Sequence, residues 1–264
     1  MTHPNITDPA RLNSATKYPS IRTHHALGER GALLEEPTRF TGQVIATEKV
    51  DGAGGRIVLL PGGDYAIGSR EDLLHARGDR IINPTLGIVE ALLPLAERLA
   101  ELRTVHSGAT TYFLEVYGDR IGKAANQYQS GGGVGHRLFD VAHTPDEILG
   151  LDPAAISTWR ENGGQNWADE DILQDLAAHH AIPLTPRLAT LAAQDLPESI
   201  EDMHTWLART LPATLVALDD GARGGPEGIV LRDSTRSVIS KARFQNYRRT
   251  LELRAAEAAA AAKR

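Results

Sequence analysis

Lysine, glutamate and arginine sit in this sequence where apolar neighbours would bury them. Lys49 closes the run Thr41 to Val50, Glu115 lies inside Leu114-Glu115-Val116-Tyr117-Gly118, and Glu227 heads Glu227-Gly228-Ile229-Val230. Lys241 and Arg243 alternate in Ser240-Lys241-Ala242-Arg243. A buried charge without a partner is costly, so function explains the two strand carboxylates better than surface salt bridges do. Lys49-Val50-Asp51-Gly52 precedes a glycine-rich bend between two predicted strands, where the lysine amine can face a bound phosphate. To attack phosphorus an amine must be neutral, and for an ordinary lysine with pKa near 10.4 that costs about 4 to 5 kcal/mol at pH 7. Nearby cations, a metal-bound phosphate cluster or desolvation reduce the cost, and Lys241 and Arg243 are the candidate cations. Taken alone, a four-residue K-x-D-G match is more simply a hairpin with an exposed lysine.

The elements that must position these groups are read from period and punctuation. Residues 43–49, 56–60, 64–68, 111–117, 137–142, 228–232 and 237–240 read as strands separated by Gly, Pro, Asp or Asn, a mostly antiparallel set. From Pro84 to Arg103 the spacing of Ile88, Leu92, Leu95, Leu99 and Leu102 predicts a helix, kinked at Pro94. Residues 144–221 form a long insertion that reads as helical. Thr144-Pro145-Asp146-Glu147 is its expected capping box, and Ser199 with Asp202 starts another helix. The tail from Phe244 has high helix propensity but almost no apolar stripe near its end, so fraying is expected there.

Composition narrows the function classes. The chain has 264 residues, 41% of them hydrophobic, which suits a soluble globular protein with a sizeable core. No apolar run approaches the length of a membrane span and no signal peptide is visible, so a cytoplasmic location without membrane contact is expected. Without cysteine, thiol nucleophiles and cysteine zinc sites are excluded. The net charge of -6 argues against a protein that coats nucleic acid non-specifically, while leaving room for a local basic groove. Lys241, Arg243, Arg248, Arg249 and Arg254 bias the C-terminal end positively.

In order, Lys49 to Gly52, Gly68-Ser69-Arg70-Glu71-Asp72, Leu114 to Gly118, Leu138-Phe139-Asp140-Val141, Glu227 to Val230 and Ser240 to Arg243 resemble motifs I, Ia, III, IIIa, IV and V of the covalent nucleotidyltransferases. These are the polynucleotide ligases and mRNA capping enzymes, and the spacing is closest to the RNA ligase 2 type. Lys17-Tyr18-Pro19-Ser20-Ile21 is similar to the start of that ligase type. Six motifs in order are far more specific than any one of them.

The resemblance implies an α+β fold, with an ATP-grasp-like adenylation domain of antiparallel sheets flanked by helices. That domain would span residues 1–243, including an N-terminal extension 1–35 and the insertion 144–221, followed by a helical tail 244–264. The residues after Arg243 are too few for an OB-fold barrel, so none is expected, and a protein partner could take the place of the C-terminal domain. The implied activity is ATP-dependent RNA ligation with magnesium or manganese. Lys49 takes AMP from ATP, passes it to a 5′-phosphate, and a 3′-hydroxyl then displaces it.

By the same resemblance Glu115 binds the ribose hydroxyls or a hydrated metal, and Glu227 coordinates or orients the metal. Phe139 stacks on adenine, against the competing reading of a core phenylalanine. Glu48 meets the adenine edge, Lys241 and Arg243 hold phosphates, and Arg70 grips a phosphate or strand end through its planar fork. Ala53, Gly54 and Gly55 stand where the family often has asparagine or arginine. Arg56 shares strand parity with Gly54 and is expected to make the lost phosphate contact. The alternatives are a DNA ligase or guanylyl-transferring capping enzyme, disfavoured by the missing OB-fold, and a non-sealing nucleotide- or RNA-end-binding module.

Overall fold

Gln43–Lys49 (β4) carries the lysine, and Val44 to Glu48 are buried one after another, as befits a strand with neighbours on both edges. The computed structural model describes residues 8–79, 87–102, 104–119, 121 and 125–263. β4 pairs antiparallel with Gly228–Asp233 (β12) on one edge and Arg187–Ala192 (β11) on the other. Ile239–Arg243 (β13) joins β12, and Arg22–Thr23 (β1) runs parallel to β13, giving the order β1-β13-β12-β4-β11. His25–Leu27 (β2) and Leu33–Pro37 (β3) make a separate hairpin. Alternation puts Val44, Ala46, Ile229, Leu231 and Ala242 into one core with Met203, Trp206 and Leu207 of Ile200–Thr210 (α7) and Tyr247 of Phe244–Ala261 (α8). These elements form one compact unit, Ser20–Asp51, Thr185–Ala217 and Arg223–Arg264.

The other unit, Met1–Pro19, Gly52–Leu184 and Leu218–Ala222, is built on a six-stranded antiparallel sheet. Its strands are Ala53–Leu59 (β5), Tyr65–Ser69 (β6), Leu73–Ala76 (β7), Ala109–Gly118 (β8), Val134–Thr144 (β9) and Asn166–Trp167 (β10), in the order β10-β9-β8-β5-β6-β7. Period two splits its core. Ile57, Leu59, Tyr112, Leu114 and Val116 pack with Ile88, Leu92, Leu95 and Leu99 of Ile88–Glu101 (α2). Val58, Leu60 and Ala66 pack instead with Leu12 of Pro9–Ala15 (α1). Asp8 caps α1 by accepting from the Ala10 and Arg11 amides. Ala125–Tyr128 (α3), Asp146–Leu149 (α4), Pro153–Glu161 (α5) and Glu170–His179 (α6) complete this unit.

Several expectations change. The expected start of α2 at Pro84 lies outside the described residues. Leu102 falls beyond the helix and is 47% exposed, while the rest of its stripe is buried. The segment 144–221 is not wholly helical, since β10 and β11 lie in it and β11 is an edge of the Lys49 sheet. Its Leu- and Ala-rich sequence favours helix, but pairing with β4 outweighs that propensity. Thr144 ends β9 rather than capping α4, and the Asp146 carboxylate accepts from the Gly108 amide. Ser199 does cap α7, accepting from the Asp202 amide at 3.0 Å. α8 is not a detached tail: Tyr247 is in the core and Thr250 accepts from the Leu33 amide. Arg254 pairs with Glu35 and Glu201.

Two outcomes follow from this packing. Leu92→Ala removes a fully buried side chain and should lower stability by about 2 to 5 kcal/mol, while Leu102→Ala should stay within about 0.5 kcal/mol, both read from urea unfolding. His24 is buried beside His25, and burial first, then that neighbour, pushes its imidazole down to about 3 from the ordinary 6.5. Between those pH values the unfolded chain holds a proton that the folded chain refuses. Stability is therefore complete above pH 6.5 and declines with acid by up to about 1.4 kcal/mol per pH unit. His24→Gln should flatten the urea midpoint between pH 6.5 and 4 relative to the unaltered protein.

Candidate active site

Register across three neighbouring strands assembles the lysine's surroundings. Lys49 stands opposite Gly228, and Gly228 stands opposite Arg243, so Lys49, Glu227 and Arg243 meet at one end of the sheet. Lys49 Nζ donates to Glu227 Oε2 at 2.6 Å, and Arg243 Nε lies 2.8 Å from Glu227 Oε1. Each carboxylate oxygen thus holds one cation. The Glu227 and Lys49 side chains are only 15% and 19% exposed, so water screens the contact weakly. Lys241 sits two residues before Arg243 on β13, opposite Val230.

Gly228 permits this convergence. A Cβ there would lie 2.1 Å from the Ala242 carbonyl oxygen and 2.8 Å from the Arg243 Cα, so only glycine lets the two strands approach so closely. Glu48 is 1% exposed, and its carboxylate accepts from the Thr214 hydroxyl and from the Leu215 amide at 2.8 Å. It ties the 214–215 turn to β4. Sequence gave no sign of that bond, because the partners are more than 160 residues apart.

The six-stranded sheet carries a second set. Glu115 on β8 is half-buried, faces Gly54 across the ladder and accepts from the Gly52 amide at 3.0 Å. A Cβ on Gly52 would meet the Val116 carbonyl at 2.2 Å, which accounts for the glycine of the K-x-D-G pattern. Phe139 on β9 is half-buried. Its ring meets Tyr18 edge-on at 5.0 Å and is stacked at 6.4 Å from Phe113, while Trp167 lies 5.3 Å from Tyr18. The Tyr18 hydroxyl donates to Asp140 Oδ2 at 2.6 Å. Of this cluster the sequence singled out Phe139, and Tyr18 only as part of a motif; Phe113 and Trp167 carry no local signal.

Arg70 follows β6, is 59% exposed and lies 3.6 Å from a Glu71 carboxylate oxygen. Arg56 is placed differently from the phosphate-contacting role expected of it. It is 1% exposed, and its guanidinium donates to the Arg70 carbonyl and to the Asn13 side chain. Burial holds its pKa down at about 10. A fork so enclosed braces the Arg70 loop and cannot reach a strand at the surface.

Chemically, the lysine set joins an amine, a carboxylate and two further cations at the end of one sheet, an arrangement that can bind phosphate and present a nucleophile. The other set offers a carboxylate beside a backbone amide and an aromatic face.

A family model described as RNA ligase matches residues 42–248, which take in every motif from Lys49 to Arg243. Among solved structures the chain is similar to a mutant RNA ligase of Naegleria gruberi with ATP and manganese, at 13% identity and a TM-score of 0.54. That match covers 89% of this chain and 62% of the other. A second mutant of that ligase, with AMP and manganese, matches at 14% identity and a TM-score of 0.52, covering 87% and 62%. An archaeal ATP-dependent RNA ligase matches at 18% identity and a TM-score of 0.55, covering 88% and 49%. The chain thus spans less than two thirds of the length of these ligases, and at such identities the likeness is one of fold. No curated protein matches the chain in sequence.

The strand contact at Gly228 has a direct test. Gly228→Ala should destabilise the protein by about 1 to 3 kcal/mol or more, whereas Gly225→Ala, with no atom within 4 Å of the added Cβ, should leave its melting temperature within a degree or two. Differential scanning calorimetry of the two variants reads the contrast.

Proposed function

The chain belongs to the RNA ligase family, and from that premise we propose that it is an ATP-dependent RNA ligase in which Lys49 carries AMP from ATP to a 5′-phosphate end. The observation that carries the reading is Lys49 at a strand end, held by Glu227, with Arg243 on the same carboxylate and Lys241 two residues away. The ATP and manganese of the Naegleria structures support the choice of nucleotide and of a divalent cation. We take residues up to Arg243 as an ATP-grasp-like adenylation domain, with α8 and the residues after it as its tail.

In the first step Lys49 Nζ, freed of its extra proton and of Glu227, attacks the α-phosphorus. A P–N bond forms as the P–O bond to pyrophosphate breaks. Lys241 and Arg243 stabilise the charge that gathers on the phosphates. Phe139 stacks on adenine while Tyr18 and Phe113 brace the ring. Glu48, enclosed with its carboxylate on the Thr214 hydroxyl and the Leu215 amide, orients that turn and does not meet the adenine edge expected of it, and Glu115 binds the ribose hydroxyls.

In the second step a 5′-phosphate oxygen attacks the AMP phosphorus, the P–N bond breaks and Lys49 regains its proton. A 3′-hydroxyl then attacks the 5′-phosphorus and AMP leaves. Arg70 holds the polynucleotide for this closure.

Magnesium keeps several waters and needs only one or two carboxylates beside substrate phosphates, and on this reading Glu227 and Glu115 are the candidates. Among the described residues no three His, Cys, Asp or Glu side chains converge on one point, as a dedicated protein cage would require. When bound, the ion would neutralise charge on the triphosphate.

Incubation with α-labelled ATP and magnesium should leave label on the protein through a denaturing gel, and EDTA should abolish it. Lys49→Ala and Lys49→Arg should both lose the label, since a guanidinium is not neutral near physiological pH. A folded Lys49→Ala protein that still labels would overturn the assignment. Lys241→Ala should slow labelling roughly 100- to 1,000-fold. Arg70→Ala should label normally yet seal pre-adenylylated RNA poorly. If it fails to label but seals such RNA normally, Arg70 belongs to the first step.

A further inference from the structure

Beside β13 the hairpin β2–β3, strand β1 and helix α8 enclose a groove of about 760 Å³. That volume is within the range of ordinary ligand pockets, roughly 300 to 1,000 Å³. Its charge is not ordinary for this chain. Arg22, Lys241, Arg243 and Arg249 line it against a single carboxylate, Glu36, although the whole protein carries a net charge of -6.

The cations differ in what already occupies them. Arg243 shares Glu227 with Lys49. Among the described residues no carboxylate lies within ion-pair distance of Arg22 or Arg249. Arg249 is nevertheless fixed, since its Nη2 donates to the Arg30 carbonyl at 2.6 Å and its guanidinium lies against Gly31, whose φ of +74° turns the chain there. A guanidinium has five N–H donors, so one such bond leaves the fork available to an anion. Ser20, Thr38 and Asn246 add hydroxyl and amide donors along the same walls. The groove therefore has the chemistry of a phosphate track: Arg22 and Arg249, with no carboxylate on either among the described residues, stand beside neutral donors, and Ile21, Ala26, Leu27 and Pro37 supply the apolar part of its walls.

Its position indicates what the track serves. The wall formed by Lys241 and Arg243 is the strand that also brings Arg243 to Glu227 and Lys49, so the groove leads away from the nucleophile's end of the sheet. Arg22 and Arg249 come from β1 and α8, on the far side of that strand from β12. We propose that this groove is a phosphodiester-binding site, in which Arg22 and Arg249 hold successive backbone phosphates of a single RNA strand. The proposal rests on the ligase reading for its choice of RNA. A polyphosphate tail of the nucleotide shares the same chemistry, and the test separates the two.

The full-length protein is titrated into a fluorescein-labelled, 5′-phosphorylated single-stranded RNA without ATP, and anisotropy is followed from 50 to 200 mM NaCl. Each phosphate contact on a single strand contributes about 0.7 to the slope of log affinity against log salt. The double variant Arg22→Ala/Arg249→Ala should therefore lower the magnitude of that slope by about 1.4 and weaken binding at 50 mM by about tenfold or more. Labelling of Lys49 by ATP should stay within twofold of the unaltered protein. Arg22→Glu, at an exposed site, provides a variant whose folding is secure, and it should weaken RNA binding in the same direction. Unchanged RNA affinity and slope would overturn the proposal. Lost labelling with intact RNA binding would also overturn it, assigning the groove to the nucleotide's phosphates. A protein that never labels would count against the ligase reading alone, because the anisotropy measurement needs no adenylylation.

Discussion

Glu227 is one carboxylate with two cations on it, and the chemistry of the lysine-bearing sheet depends on that balance. Lys49 and Arg243 each take one of its oxygens, in surroundings that expose only 15% of the glutamate side chain. With either cation removed, a mostly buried charge would lose half of its compensation. With the carboxylate removed, two cations would face each other across the end of a sheet. Because each cation has its own oxygen, Arg243 can retain Glu227 if Lys49 leaves it.

That balance exists only because three strands keep register. Glu227 precedes β12, Arg243 ends β13 and Lys49 ends β4, so a slip of one residue in either ladder would turn a charged side chain to the opposite face. At Gly228 a Cβ would lie 2.1 Å from the Ala242 carbonyl oxygen, so its missing side chain is what the approach of the strands requires there. On the other sheet Gly52 plays a similar part, bringing its amide to the Glu115 carboxylate. Both glycines are thus explained by distance rather than by flexibility.

The sequence pattern and the structure diverge where long-range contacts outweigh local preference. Arg56 shares strand parity with Gly54, as the alternation of the run requires, but parity does not say whether a face meets water. Here it meets Asn13 and the Arg70 carbonyl, and the guanidinium is enclosed. Arg187–Ala192 has the composition of a helix and becomes an edge strand because β4 offers it an open ladder. Thr144-Pro145-Asp146-Glu147 has the letters of a capping box. Thr144 is nonetheless spent on β9, and Asp146 satisfies an amide from a different element.

The sequence by itself determined the order and type of the strands that bear Lys49, Glu115 and Phe139 and of the strand that follows Glu227, because alternation and glycine punctuation are local signals; the strand bearing Lys241 runs on to Arg243, beyond the 237–240 read from the sequence. It determined the stripe of α2 and the Ser199 cap for the same reason. It also determined the family, since six motifs in order need no coordinates. Only the tertiary structure decided which cations share Glu227, that Glu48 holds the Thr214 turn, and that Tyr18, Phe113 and Trp167 gather round Phe139. Likewise it alone decided that Arg22 and Arg249, more than two hundred residues apart, line one groove. Each of these is a contact between segments distant in sequence. Its partner is chosen by sheet register and by the packing of β-hairpin and helix, and neither leaves a mark on the few residues around it.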